Sequence, residues 1–270
     1  MKKLTIFIIL ITLLTSCQKD PSEKNQIVTC AIISPLKNAI IYNNVEINLT
    51  ASVTQSVEKV EFYFDGVFIG SVISEPFTYK WTPENVDAGV HKIICIAIPK
   101  DGENAQSEID IIVELKLGDN FKGGKIFFID ETGQHGLIAA LNDITINSRN
   151  SFFWGSHDSI GAANIDNGKE NTIKMADASS SSNYAGYIFK SEYELHGYID
   201  WYIPAQEELK LLKENQDYVG EFPTQSNDAG YWSSTELSND KAFALNFVAL
   251  MGSNVTKGLF GYRIRPIREF

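Results

Sequence analysis

Two adjacent carboxylates, Glu207 and Glu208, stand in "DWYIPAQEELKLL" (Asp200–Leu212), just behind an aromatic pair and a proline, and "GYWSSTE" follows at Gly230–Glu236. Acidic pairs near aromatic rings and hydroxyls have the chemistry of a hydrolase, where one carboxyl gives a proton and the other acts as base or nucleophile. The same residues at a helix start could instead accept hydrogen bonds from unpaired backbone N–H groups. A second acidic group, Asp166, Asn167, Glu170 and Asn171 in "IDNGKENT", offers oxygens of the kind calcium takes, although a glycine turn with solvated polar side chains accounts for it as well. Ser179–Ser182 is a low-complexity run, and the chain has no Gly-x-Ser-x-Gly to present a nucleophilic serine.

The elements that must position these residues follow a leader. "MKKLTIFIILITLLTSC" sets two lysines before an apolar run from Leu4 to Leu14, too short to span a bilayer but of the length of a signal-peptide core. Thr15 and Ser16 directly before Cys17 resemble the bacterial lipoprotein signal, which implies lipidation at Cys17 and a mature chain that begins there. Acyl chains gain about 0.8 kcal/mol per buried methylene, so several of them hold a protein firmly to a membrane. Residues 18–26 are polar and aperiodic and read as a tether. Gln18 behind the cysteine fits passage to the outer membrane, and Gln18-Lys19-Asp20 resembles the surface-export signals of some Gram-negative lipoproteins. Once Cys17 is lipidated, Cys30 and Cys95 remain, too little material for cysteine catalysis or a zinc cluster. The chain carries 23 basic and 34 acidic residues; loss of Lys2 and Lys3 with the leader leaves 21 against 34, a net of −13. That charge, with no basic run, argues against nucleic acid as a partner.

From Ile27 to Glu114 short β-rich runs alternate with turn signals. "VEINLTASV" places Val45, Ile47, Leu49 and Ala51 on one face, and "HKIICIAI" does the same for Ile93, Cys95 and Ala97. Val60–Phe64 and Val67–Ile69 form a hairpin through Asp65-Gly66, a pair that tolerates the positive φ of a type I′ turn. So many short strands predict a sandwich, with Trp81 as a core plug. "VEFYFDGVFIG", "EPFTYKWTP" and "AGVHKIICIAI" resemble the bacterial immunoglobulin-like domains that act as spacers, over residues 27–115. Cys30 and Cys95 both fall at apolar-face positions and read as a disulfide or as two buried thiols.

From Leu117 the composition shifts to glycine, aromatics and Asn/Ser-rich loops. Lys125–Asp130 and Gly136–Ala140 predict a hairpin turning at Thr132-Gly133. "YIPAQEELKLLKEN" predicts a helix with Pro204 in its first turn and Leu209, Leu211 and Leu212 as its apolar stripe. "KAFALNFVAL" and "YRIRPIREF" alternate as strands. In order, "GGKIFFID…GQHGLIAA", "FWGS", "NGKENT", "DWYIPAQEEL", "YWSSTE" and "GYRIRPIREF" resemble the Lcl C-terminal-like domain over residues 119–270. That resemblance implies a C-type-lectin-like fold. The whole chain is then a β-rich two-domain molecule, an immunoglobulin-like β-sandwich followed by an α+β C-type-lectin-like domain.

The resemblance also bears on the carboxylates. The enzymes distantly similar to this family rely on cysteines, and residues 117–270 have none. Glu207 and Glu208 are therefore expected to frame a helix start rather than to catalyse. The calcium-dependent sugar triplets of C-type lectins are absent as well, and no metal or cofactor is expected. Trp201 and Trp232 are expected in the core, and Trp154 in an exposed loop beside His157 and Asp158. With Met251, Ser253, Asn254 and Lys257 of a second expected loop, Leu250–Gly258, these residues combine apolar surface with hydrogen-bonding groups, a mixture suited to a neutral ligand. The expected function is adhesin-like: a lipid-anchored outer-membrane protein facing the exterior, whose C-terminal domain binds a glycan or protein. The rivals are a structural subunit of an envelope assembly and, less favoured, a glycan-active enzyme.

Overall fold

The computed structural model describes residues 27–249 and 251–270; the leader, Cys17 and the tether lie outside the described residues. Strands β1 (Cys30–Ser34), β3 (Ile47–Val53) and β6 (Phe77–Trp81) form a three-stranded sheet. Strands β2 (Ile40–Tyr42), β4 (Lys59–Phe64), β5 (Val67–Val72), β7 (Gly89–Ile98) and β8 (Ala105–Glu114) form a five-stranded sheet in the order β2-β8-β7-β4-β5. Their inner faces meet in one apolar core, in which Leu49, Val60, Phe62, Ile93, Cys95 and Ile111 are fully buried. Because side chains alternate across a strand, Ile93, Cys95 and Ala97 all enter that core. The β4–β5 hairpin turns at Asp65 and Gly66 with φ of 46° and 81°, the positive values the tight turn requires. Val45 departs from expectation: it precedes β3 and is half exposed, because the ladder with β6 begins only at Ile47. Trp81 is half-buried at the core margin, against Phe64 with ring centroids 4.8 Å apart.

The second half is α+β. Strands β9 (Asn120–Phe121), β10 (Gly124–Ile129), β11 (Gly136–Ala140) and the C-terminal β15 (Ile267–Glu269) form one sheet in the order β15-β11-β10-β9. Strands β12 (Gly230–Glu236), β13 (Lys241–Asn246) and β14 (Met251–Thr256) form another. Helices α1 (Gly168–Ala178), α2 (Gln206–Glu214) and the short α3 (Gln216–Val219) pack around them. The α2 helix starts at Gln206, so Pro204 stands before its first turn; Leu209 and Leu212 are fully buried in a cluster with Tyr202, Phe243 and Leu245. The halves meet where Asn44 Nδ2 donates to Asn120 O (3.0 Å), Lys122 N donates to Asn85 Oδ1 (2.6 Å), and Lys122 Nζ lies 2.6 Å from Asp87.

Two expectations fail here. The stretch expected as a loop at 250–258 contains β14, which pairs in register with β13 from Lys241–Thr256 to Asn246–Met251. Buried β13 needs partners for its backbone groups on both edges, and β14 supplies the second. Gly252 permits the pairing, since a Cβ there would lie 2.7 Å from the Phe243 ring. The C-terminal "YRIRPIREF" is likewise no continuous strand. Only Ile267–Glu269 pairs in β15, behind Pro266, and Arg265 turns fully inward to Asp143 at 2.8 Å.

Candidate functional site

Tertiary folding brings the two stretches singled out in the sequence together. Trp154 N donates to Lys257 O at 3.0 Å, and Lys257 Nζ sits 4.7 Å from the Trp154 ring centroid. Lys257 Nζ also lies 2.6 Å from Glu236 Oε1 and donates to the carbonyls of Asp158 (3.0 Å) and Asn239 (2.9 Å). Glu236 in turn accepts from Ile160 N (3.0 Å) and Gly161 N (2.8 Å). Burial pushes this carboxyl up, but the Lys257 ammonium and the two backbone donors outweigh it and hold it below the usual range. The unit is a buried ion pair that pins the 155–161 loop to the end of β12 and to the residue that follows β14.

Trp154 and Lys257 are therefore corrected as ligand contacts. Their exposures are 1% and 0%, because the indole N–H is committed to Ser233 O at 2.8 Å and the ammonium to three oxygens of the fold. His157, Asp158, Met251, Ser253 and Asn254 are exposed. They do not form one surface. Adjacent residues of a strand point to opposite faces, so Met251 and Ser253 share one face of β14 while Asn254, opposite Phe243, lies on the other.

The opening carboxylates separate as well. Glu207 is half exposed and pairs with Lys210 at 2.8 Å. Glu208 turns inward: Oε2 accepts from Ala205 N (2.7 Å) and Gly168 N (3.0 Å), and Oε1 accepts from the Tyr202 hydroxyl (2.9 Å). One carboxyl thus serves the starts of both α1 and α2. Burial raises the Glu208 carboxyl and, more strongly, the Tyr202 phenol. Gly168 is dictated by close approach, for a Cβ there would stand 2.4 Å from Ile203 O. The acidic turn before α1 is committed locally too. Asn167 caps the helix through Glu170 N (2.9 Å), buried Asn171 bonds Asn164, and Glu170 pairs with Lys174 at 2.6 Å. Among the described residues, no group of three His, Cys, Asp or Glu side chains could hold a metal ion. Two hydroxyls of "YWSSTE" are structural in the same way, Ser233 donating to Phe243 O and Thr235 to Asn164 O, while the buried Ser234 hydroxyl has no hydrogen-bond partner among the described residues.

A groove between α1 and the segment 189–202 combines aromatic rings with charged side chains. It encloses about 370 Å³. Phe189 and Tyr193 form one wall with ring centroids 5.2 Å apart, buried Trp201 lies at the base, and exposed Ile173 and Ile199 form the rims. Trp201 is fixed by its N–H on Leu195 O (3.0 Å). Asp200, at the edge, is neutralised by Arg268 through two 2.8 Å bonds; burial alone would raise the carboxyl, and the guanidinium holds it low. Arg268 is itself stacked on Tyr198 at 4.0 Å. Lys190 and Glu192 remain exposed at the groove's mouth. Trp201 is buried, as expected from the sequence, but the groove above it has no sequence signature, since its walls come from segments that carry no shared spacing.

Residues 29–94 match the bacterial Ig domain family. No curated protein matches the chain. Among solved structures, the fibronectin(III)-like modules of CbhA from Clostridium thermocellum are 28% identical over 33% of this chain and 98% of theirs, with a TM-score of 0.29. The endo-beta-1,4-mannanase from Thermotoga petrophila is 14% identical over 36% of this chain and 22% of the enzyme (TM-score 0.30), and a beta-glucuronidase from Parabacteroides merdae is 12% identical over 42% and 15% (TM-score 0.28). The chain thus spans less than a quarter of either enzyme, and likenesses at these scores say nothing of its activity. What the family match does establish is an immunoglobulin-like domain in the N-terminal half of the chain.

Proposed function

We propose that this protein is a lipid-anchored outer-membrane protein, facing the cell exterior, in which the immunoglobulin-like domain spaces a non-enzymatic C-terminal binding domain from the membrane. The C-terminal domain is of the Lcl C-terminal-like, C-type-lectin-like type, and its ligand is a neutral glycan held in the groove between α1 and residues 189–202. The observation that carries the reading is the groove's chemistry. Aromatic rings offer a face to the C–H surface of a sugar, while polar and charged groups at the mouth set its orientation. Asp200 is already balanced by Arg268, and the mature chain's net of −13 disfavours an anionic polymer. A catalytic role is disfavoured because Glu208 is committed to two backbone donors and a tyrosine, and Glu236 to a lysine.

A glycan array probed with the leaderless chain tests the ligand. Binding to neutral glycans that Tyr193→Ala weakens about tenfold supports the groove. Binding that this substitution leaves unchanged, or no binding at all, removes it. Cys17→Ser tests the anchor separately, since the variant should move from the membrane to the soluble fraction. The structural-subunit alternative has one observation in its favour: β14 is an outer strand of its sheet with Met251 exposed, an edge that another chain could extend.

A further inference from the structure

The N-terminal sandwich contains a feature that spacing or binding does not use. Cys30 lies on β1 of the three-stranded sheet and Cys95 on β7 of the five-stranded sheet, 65 positions apart in the chain. Both thiols face the shared core, and their sulfur atoms lie 2.8 Å apart as free cysteines. We propose that Cys30 and Cys95 are a site of reversible oxidation, joined by a disulfide-bearing oxidant into a covalent brace between the two sheets of the sandwich.

The surroundings assign the two sulfurs different parts. Cys95 is fully buried and has no access to an outside reagent, whereas Cys30, near the start of β1, is partly exposed. The two sulfurs share one hydrogen bond, so a thiolate formed on Cys30 would be stabilised by the Cys95 thiol behind it. Cys30, the sulfur an outside reagent can reach, is thus the attacking thiolate. Its sulfur displaces one sulfur of the oxidant's disulfide, and that leaving sulfur departs as a thiolate. Cys95 then loses its proton and displaces the oxidant's second sulfur from Cys30. The pair gives up two electrons and two protons, and the oxidant's disulfide becomes two thiols. Export, part of the function proposed above, would bring the pair to such an oxidant. The chemistry depends on the geometry of the pair, so its test does not depend on export.

A bond at this point would close a long loop and cross the interface between the sheets, which the described residues otherwise hold by apolar packing. The experiment treats the purified, folded, leaderless chain with glutathione disulfide, then denatures it and alkylates the remaining thiols. The leaderless chain is made without Cys17, so Cys30 and Cys95 are its cysteines. The expected product is a monomer lighter by two hydrogens, with no alkylatable thiol and a linked peptide pair containing Cys30 and Cys95. The sandwich transition should rise by roughly 10 °C or more, and dithiothreitol should reverse the rise. Cys30→Ser under the same treatment should show no such rise. Two thiols still alkylatable in the treated wild type, a disulfide-linked dimer, or a linked monomer whose melting is unchanged would each overturn the proposal. These outcomes are read without any glycan or membrane, so they leave the binding and anchoring readings to their own tests.

Discussion

The two halves bury different kinds of side chain. In the sandwich, the described residues include a single buried polar side chain, Asn43, and the core is otherwise aliphatic and aromatic. In the C-terminal half, Arg265, Lys257, Glu236 and Arg268 are buried along with three residues of the Ser-Ser-Thr run. The first half is held by nondirectional burial, which any strand with the right alternation supplies. The second is held at polar nodes, each needing a specific partner at a specific distance. Buried charges of this kind contribute little net stability as pairs, but removing one member leaves the other unsatisfied.

That contrast can be broken by mutation. Arg265→Ala is expected to have the largest effect, about 3–5 kcal/mol, because it takes from Asp143 the fully buried one of its two guanidinium partners, leaving Arg263 and the Tyr231 hydroxyl, and frees the carbonyls of Ala140 and Glu221. Urea unfolding would measure it, and a loss under 1 kcal/mol would deny the node its role. Ile93→Ala in the sandwich is expected to cost about 2–4 kcal/mol, as a cavity in a packed core does. In the full chain the two substitutions should lower different unfolding transitions. A single transition that moves with both would show the halves to be one cooperative unit and would contradict independent domains at 27–115 and 119–270.

Glu208→Ala comes next, at about 1–3 kcal/mol, because it leaves Ala205 N and Gly168 N without their acceptor. Thermal melts read the loss; an unchanged melt with lost glycan binding would make Glu208 a ligand contact instead. Glu207→Ala, by contrast, removes a half-exposed pair and should stay within about 0.5 kcal/mol.

The smallest effects concern pH, and they sharpen the comparison by sign. Glu236 is held below its ordinary value, so its contribution is present above the unfolded carboxyl value of about 4.3 and is lost as pH falls through the folded one. Glu208 is raised, so the folded state binds its proton more tightly, and stability declines as pH rises from the unfolded value through the folded one. Glu236→Gln should therefore flatten the acid side of a stability–pH curve for the C-terminal transition, and Glu208→Gln the decline in stability as pH rises toward neutrality. The sandwich transition should move with neither. If both variants shift the curve in the same direction, the opposite environments described here are wrong.

The sequence reading succeeded where the signal was local. The β4–β5 turn follows from Asp65-Gly66, and the inward residues of β7 follow from alternation. The β10–β11 hairpin appears where turn chemistry put it, with Asp130 Oδ1 accepting from Thr132 N at 3.0 Å. At the candidate site the reading found the right neighbourhood and misassigned its members. A tryptophan and a lysine in polar stretches resemble a binding surface, and nothing local to Trp154 announces that Ser233 will accept its N–H. Nor does the sequence near Lys257 announce Glu236 at 2.6 Å.

By itself, then, the sequence determined the elements: which runs are strands, where they turn, which face of each is apolar, and that Glu208 belongs to a helix start. These depend on backbone preferences and on periods of two or 3.6 residues, which act between near neighbours. Only the tertiary structure decided which polar groups are buried and what they hold. Arg265 meets Asp143 across 122 positions, and Glu208 reaches the start of α1 across 40. A charge enters a core only where a distant partner waits for it. Until the chain has closed those distances, a buried lysine and a solvent-exposed one are the same letter.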